Sequence, residues 1–197
     1  MSGIRTAFSP FNTKKEPFKR DEILYQLENS EITAELPAGV YYLAITGGGG
    51  TGGNWYAASG VWAFTSGGSG ATWEGSFRLR KKSSVRLIAS GPQPADSSEH
   101  FSKLIIDGVE MIVCRSGAST WWGHNGGPGG TLTVNSALEV VETVKATNGN
   151  NGSGSVQGLG TGGASTSSYG WGAGTNVPAG QKQTGGALLK CPESEQL

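Results

Sequence analysis

Gly47-x-Gly49-x-x-Gly52 is the segment whose residue types and spacing come nearest to enzyme chemistry. It follows a β-branched and aromatic run, Val40 to Thr46, and a strand leading into such glycines is half of a dinucleotide-binding fingerprint. The other half is a helix opening at once, with amides aimed at a pyrophosphate, and an acid about 20 residues further on. Asn54 to Gly67 is uncapped and broken by Gly60, Glu74 sits inside an alternating strand pattern, and the same expression matches again at Gly158, Gly160 and Gly163. Glycine abundance alone therefore satisfies it, and no nucleotide site is expected. His100 and His124 stand near no Cys or carboxylate cluster at metal-ligand spacing. No nucleophile elbow or phosphate loop is present. Glu139 and Glu142 flank valines as solvent-facing strand charges, and Cys114 and Cys191 are read as structural. Neither catalysis, nor a metal, nor a cofactor is expected.

The aromatic residues carry more information. All six tryptophans lie after residue 46. Trp73 alternates with polar residues and reads as core. Trp55-Tyr56, Trp62, Trp121-Trp122-Gly123-His124 and Tyr169-Gly170-Trp171 fall between glycine runs. Two readings stand for them. Exposed at loop tips, they are rigid amphipathic rings suited to recognition, with Asn, Ser and Thr neighbours for hydroxyl hydrogen bonds; otherwise they cover glycine-rich backbone.

These residues need a scaffold, and composition constrains it. Gly accounts for 34 of 197 residues, and Lys plus Arg, 15, cancel Asp plus Glu, 15. Such glycine content is a signature of disorder, but the chain lacks the net charge that normally accompanies it. Zero net charge argues against nucleic acid as a partner; the basic stretch Arg78, Arg80, Lys81, Lys82, Arg86 reads as the wet face of a strand. Met1 to Arg20 has no apolar core of a secretory signal, and no run of about 18 apolar residues suggests membrane insertion.

Only Gly3 and Gly39 precede Gly47; the rest gather in runs. Residues 1–36 form a distinct N-terminal segment, either an attachment arm or an ordinary cap, in which residues 20–28 suit a short amphipathic helix. Residues 37–197 form a glycine-rich β domain. Val40 to Thr46, Trp73 to Leu79, Val85 to Ala89 and Leu132 to Val144 have strand patterns. Lys103 to Cys114 reads as a hairpin turning at Asp107-Gly108, a pair suited to a type I′ turn. The expected fold is all-β with little helix: a β-sandwich or jelly-roll-like core with long loops.

The glycine runs are too long for tight turns and too numerous for structureless loops. Polyproline-II geometry, with three residues per turn and no internal hydrogen bonds, frees every amide and carbonyl for a neighbouring chain. Spacings of three recur at Gly47, Gly50 and Gly53, at Gly123, Gly126 and Gly129, and at Gly149 and Gly152. Polyglycine-II-like segments are therefore expected.

Glycine runs alternating with aromatic segments, after the lead-in Leu36-Pro-Ala-Gly-Val-Tyr-Tyr-Leu-Ala-Ile-Thr-Gly-Gly-Gly-Gly50, resemble the glycine-rich domains of bacteriophage tail-fibre proteins and receptor-binding tip adhesins, those of T-even-like phages being the nearest described group. The resemblance covers roughly residues 37–190. It implies packed polyglycine-II helices, a place in the virion outside the host cell, other fibre proteins as partners and a homotrimer. It also implies a host-surface glycan or outer-membrane protein bound through loops at Trp55, Tyr56, Trp62, Trp121, Trp122, His124, Tyr169 and Trp171. The alternatives are a purely structural fibre, decoration or assembly protein of the virion, and a ligand-binding module of a cellular protein.

Overall fold

The computed structural model describes residues 22–56, 62–91, 100–120, 126–155, 162–174 and 181–191. Among them the chain is all-β, with thirteen strands: β1 (Ile23–Glu28), β2 (Ser30–Leu36), β3 (Gly39–Thr46), β4 (Asn54–Tyr56), β5 (Trp62–Thr65), β6 (Thr72–Leu79), β7 (Ser83–Ala89), β8 (Phe101–Ile106), β9 (Val109–Arg115), β10 (Leu132–Val134), β11 (Val140–Thr147), β12 (Gly154–Ser155) and β13 (Gly186–Lys190). Two five-stranded antiparallel sheets, ordered β1-β13-β3-β6-β11 and β10-β9-β8-β7-β2, face one another. Alternation puts Tyr41, Leu43, Ile45, Trp73, Phe77 and Leu189 of the first sheet against Val85, Leu87, Leu104, Ile112 and Cys114 of the second, all nearly inaccessible to water. The β8–β9 hairpin turns at Asp107 and Gly108, with φ of 49° and 81°, the two positive values a type I′ turn demands.

The helix that the sequence suggests over residues 20–28 does not form in its described part, residues 22–28. Ile23–Glu28 is a strand that hydrogen-bonds β13 along its free side, while Leu24, Tyr25 and Leu27 pack on the core. A short apolar run fits either period, and here the open edge of β13 decides it. Ser30–Leu36 pairs with β7 in the other sheet, so residues 23–36 close one side of the sandwich. Residues 1–21 lie outside the described residues.

At one pole the strands continue directly into glycine runs. The run Ser66–Gly70, which feeds β6, lies at the centre of a bundle. Its backbone bonds six surrounding segments: Gly50 donates to Gly68, Gly68 to Ala118, Gly127 to Ser66, Ser69 to Asn150, Gly163 to Gly67, and Gly70 to Gly172, at 2.7–3.1 Å. The outer segments also bond or touch one another in a closed ring: Gly117 to Gly48, Ala118 to Pro128, Gly149 to Gly130, Gly174 to Gly163, with Gly163 against Asn150 and Gly172 against Gly47. Pairings step by three residues on both partners: Gly127 and Gly130 donate to Ser66 and Ser69, and Gly149 and Gly152 donate to Gly130 and Gly127. That step is the three-residue turn of polyproline-II geometry, so the runs are polyglycine-II-like. A Cβ built on Gly68 would overlap the Pro128 carbonyl; only glycine permits chains this close.

The sandwich–bundle junction is sealed by hydroxyls. The Gly48 amide donates to Ser90 Oγ and Ser116 Oγ at 2.9 and 3.0 Å, and Ser102 Oγ donates to the Thr46 carbonyl at 2.7 Å. All three serines are buried, and they occupy backbone groups that the sheet ladders have released.

Candidate recognition surface

The bundle places the aromatic segments. At the pole away from the sandwich, the roots of connections 51–65, 119–126 and 153–162 are tied together among the described residues. The Thr120 amide donates to the Thr51 carbonyl at 3.0 Å, Thr65 to Gly53 at 2.9 Å and Ser66 to Ser153 at 3.0 Å, while Thr120 Oγ1 donates to Thr65 Oγ1 at 2.6 Å. Strands β4, β5 and β12 make a small third sheet there, in the order β12-β5-β4. Its register pairs Tyr56 with Trp62 and Trp55 with Ala63. Trp55, Tyr56 and Trp62 thus share one distal hairpin. Trp121, Trp122 and His124 lie outside the described residues; Ser119 and Thr120, which lead to them, adjoin Thr51 at the root of that hairpin.

Tyr169 and Trp171 lie elsewhere. From Gly163 the chain turns back along the outer face of the first sheet and returns, so Ser165–Gly172 forms a tongue beside β3, β6 and β13. Ser168 anchors it: its amide and Oγ donate to the Glu74 carboxylate at 2.7 and 2.6 Å, and it accepts from Lys145 Nζ at 3.1 Å. Glu74, on the face that alternation would leave wet, is only 1 % exposed because the tongue covers it.

Trp171 is a correction to the expected contact set. At 2 % exposure, packed on Ala44 and Leu188, it covers the sheet and has no surface to offer a partner. Its Nε1 donates to Glu28 Oε1 at 3.0 Å, which also accepts from Lys182 Nζ at 2.6 Å. The Lys182 ammonium, aided by the indole N–H and opposed by partial burial, holds the Glu28 carboxyl below its ordinary range. Tyr169 stacks on Trp171, centroids 5.0 Å apart and planes 21° from parallel, and remains 39 % exposed. Beneath it, burial and the neighbouring Tyr169 push the Tyr42 phenol up. Tyr169 is therefore the accessible ring of a lateral patch, separate from the distal hairpin.

The glycine fingerprint at Gly47 is followed by strand β4 and not by a helix, and its first four residues are bonded within the bundle. The amides of Gly47, Gly49 and Gly50 donate to Ala71, Gln183 and Gly68, and that of Gly48 to two serines, so these four consecutive amides are taken up by the protein itself. The basic stretch is paired along its length: Arg78 and Arg80 with Glu139, Lys81 with Asp107, Lys82 with Glu35 and Arg86 with Glu31. Among the described residues no three His, Cys, Asp or Glu side chains are placed to hold a metal ion, and no helix is long and apolar enough to cross a membrane.

Sequence reasoning missed Glu28, Glu74 and Lys182. Their roles depend on a tongue that returns to β6 across 94 residues of chain, and no local pattern signals it. The chain matches no protein-family model and none of the curated proteins compared with it.

Proposed function

We propose that this chain is a non-enzymatic adhesin at the tip of a bacteriophage tail fibre, binding a host-surface glycan or outer-membrane protein through the aromatic segments of the distal pole, with Tyr169 as a lateral contact. One observation supports it above others: the polarity of the molecule. The connections bearing Trp55, Tyr56, Trp62, Trp121, Trp122 and His124 leave one pole from roots bonded side by side. Glu22 and Cys191, joined by a 2.8 Å backbone hydrogen bond, lie at the other pole, where β1 begins and β13 ends. A stiff bundle between an attachment pole and a display pole is what an adhesin requires. The proposed assembly is a homotrimer in contact with other fibre proteins, as the family resemblance implies.

A second reading, a purely structural fibre or decoration protein, is favoured by β11. This edge strand leaves Val140, Val141 and Val144 at 39, 48 and 58 % exposure, apolar surface suited to assembly.

Fluorescently labelled protein applied to a panel of bacteria with different surface glycans discriminates between them. An adhesin decorates a subset of strains, and Trp121→Ala with Trp122→Ala abolishes decoration. A monodisperse oligomer that decorates none sustains the structural reading. Decoration that survives both substitutions moves the contact away from residues 121–122.

A further inference from the structure

At the pole where β13 ends, the two sheets do not close fully over their core. A slot of about 230 Å³ opens between the end of β6, the β8–β9 turn and the β10–β11 connection. Leu79, Ile106, Met111 and Leu138 line its floor. Three of them, Leu79, Ile106 and Leu138, are core residues no more than 7 % exposed, so the slot is the bare end of the core itself.

Size and charge decide what fits. The volume lies below the span of small-ligand sites, roughly 300–1,000 Å³, and suits a single apolar side chain. The rim is cationic in sum: Arg78 and Arg80 share the one carboxylate of Glu139, and Lys81 pairs with Asp107, three cations to two anions. Lys82, beside them, is balanced by Glu35. The side chains of Arg80 and Lys81 are 80 and 79 % exposed, which leaves them open to a further carboxylate. The matching occupant is an apolar side chain carried on an acidic segment.

The chain itself supplies one. Residues 192–197, outside the described residues, read Pro-Glu-Ser-Glu-Gln-Leu, with two carboxylates ahead of a leucine. They follow Cys191, which lies at the same pole. Lys190 pairs with Tyr42, and Gly39 of the same strand pairs with Leu79, so the slot stands two strands across and three residues further along. That is about 10 Å in each direction, or about 14 Å in a straight line. Six extended residues span about 20 Å, enough to bring Leu197 to the slot. Residues 1–21 start from the same pole, but there Phe18 is followed by Lys19 and Arg20, which would set cations against a cationic rim.

We infer that residues 192–197 fold back across this pole, seating Leu197 in the slot with Glu193 and Glu195 along the Arg80 and Lys81 rim. The docked tail covers the open end of the core. It also occupies the pole to which the adhesin reading assigns attachment, so a partner that uses the slot has to displace the tail. The docking itself does not rest on that reading.

Methyl NMR of the full chain, with leucine, isoleucine and methionine methyls labelled, tests it. Nuclear Overhauser contacts are expected between the Leu197 methyls and those of Met111 and Leu138. Leu197→Ala is expected to erase them and to shift the Met111 methyl resonance. Arg80→Glu, and separately Glu193→Lys with Glu195→Lys, are each expected to lower the docked population at least about twofold, the scale of an exposed ion pair. The three substitutions combined are expected to restore it, which general destabilisation would not do. Circular dichroism verifies that the variants fold. Leu197 methyls at free-chain shifts in the unaltered protein, or a docked population indifferent to both charge reversals, overturns the inference. Contacts from Leu197 to Phe18 in place of the slot overturn it in favour of pairing between the two ends of the chain. In a mixture of separately labelled chains, contacts found only between copies overturn the folding back and give the slot to a second copy. Cell decoration, read at the opposite pole, is expected to be the same in all these variants, so loss of the docked tail and loss of the adhesin reading are told apart.

Discussion

The indole of Trp171 lies against the backbone of Gly186, so close that a Cβ at position 186 would enter the ring. A glycine at the first residue of β13 is thus the floor on which a distant tongue docks, with Ala44 and Leu188 as walls and Tyr169 stacked outside.

Gly186→Ala is therefore expected to displace Trp171 and Tyr169 together and to destabilise the protein by about 1–3 kcal/mol, the usual range for overpacking. Urea unfolding gives the loss, and the fluorine NMR shift of 5-fluorotryptophan at position 171 reports release of the ring into solvent. A resonance that keeps its native shift in Gly186→Ala would show that the tongue does not depend on Gly186.

The bundle can be tested with one substitution at two glycines. At Gly68 a methyl group must enter the space of the Pro128 carbonyl, and every neighbour is backbone, so Gly68→Ala is expected to cost more than about 3 kcal/mol. At Gly108 nothing stands within 4 Å, but φ is 81°, so Gly108→Ala is expected to cost about 1–2 kcal/mol through the left-handed backbone alone. Denaturation midpoints in the reverse order would count against close packing of the glycine runs.

Glu28 makes the tongue sensitive to acid. Its carboxyl is depressed below the ordinary value of 4.5, first by the Lys182 ammonium and then by the Trp171 N–H. The stabilisation it provides is complete above pH 4.5 and is lost as the pH falls through the lowered folded value. Because Glu28 and Lys182 are partly exposed, the effect is small and screened by salt. The Trp171 indole N–H resonance is expected to shift on acidification below pH 4.5 in the native protein and to stay flat in Glu28→Gln. A resonance indifferent to pH in both would remove Glu28 as its partner.

Both cysteines are expected to be inert in the folded state. Cys114 and Cys191 are free and buried, and burial pushes both thiols up from their ordinary range, which suppresses the reactive thiolate. Native protein at pH 8 is expected to give no colour with a disulfide reagent, and denatured protein two equivalents of thiol. Rapid reaction of native protein would place a cysteine at the surface.

The sandwich was legible because its signals are local. Trp73, Phe77 and Leu79 declare a half-buried strand by their spacing, and Asp107-Gly108 declares a hairpin by its conformational preference. The polyglycine geometry was legible in part, since a spacing of three among glycines is a property of the chain. The partners were not. Nothing near Ser66–Gly70 says that it is the central run or which six segments surround it, because those bonds join residues up to 102 positions apart, as between Gly70 and Gly172. Ile23–Glu28 was misread for a related reason: six residues with apolar side chains on both periods take the conformation that a tertiary partner offers, and the open edge of β13 is that partner.

The aromatic residues divide along the same line. Their types and their position between glycine runs are written in the sequence, and among the described residues they fall on two separate features, the hairpin of Trp55, Tyr56 and Trp62 and the tongue of Tyr169 and Trp171. Whether a ring is available to a partner is a property of what covers it. Trp171 and Tyr169, two residues apart in the same segment, come out buried and exposed because the outer face of β13 and β3 receives one and leaves the other on top. Sequence alone determined an all-β chain with glycines gathered to pack backbone against backbone. Tertiary structure decided which runs meet, which face the tongue covers and which aromatic stays at the surface, because backbone hydrogen bonds and apolar contacts are indifferent to separation along the chain and are chosen only when the whole chain has closed on itself.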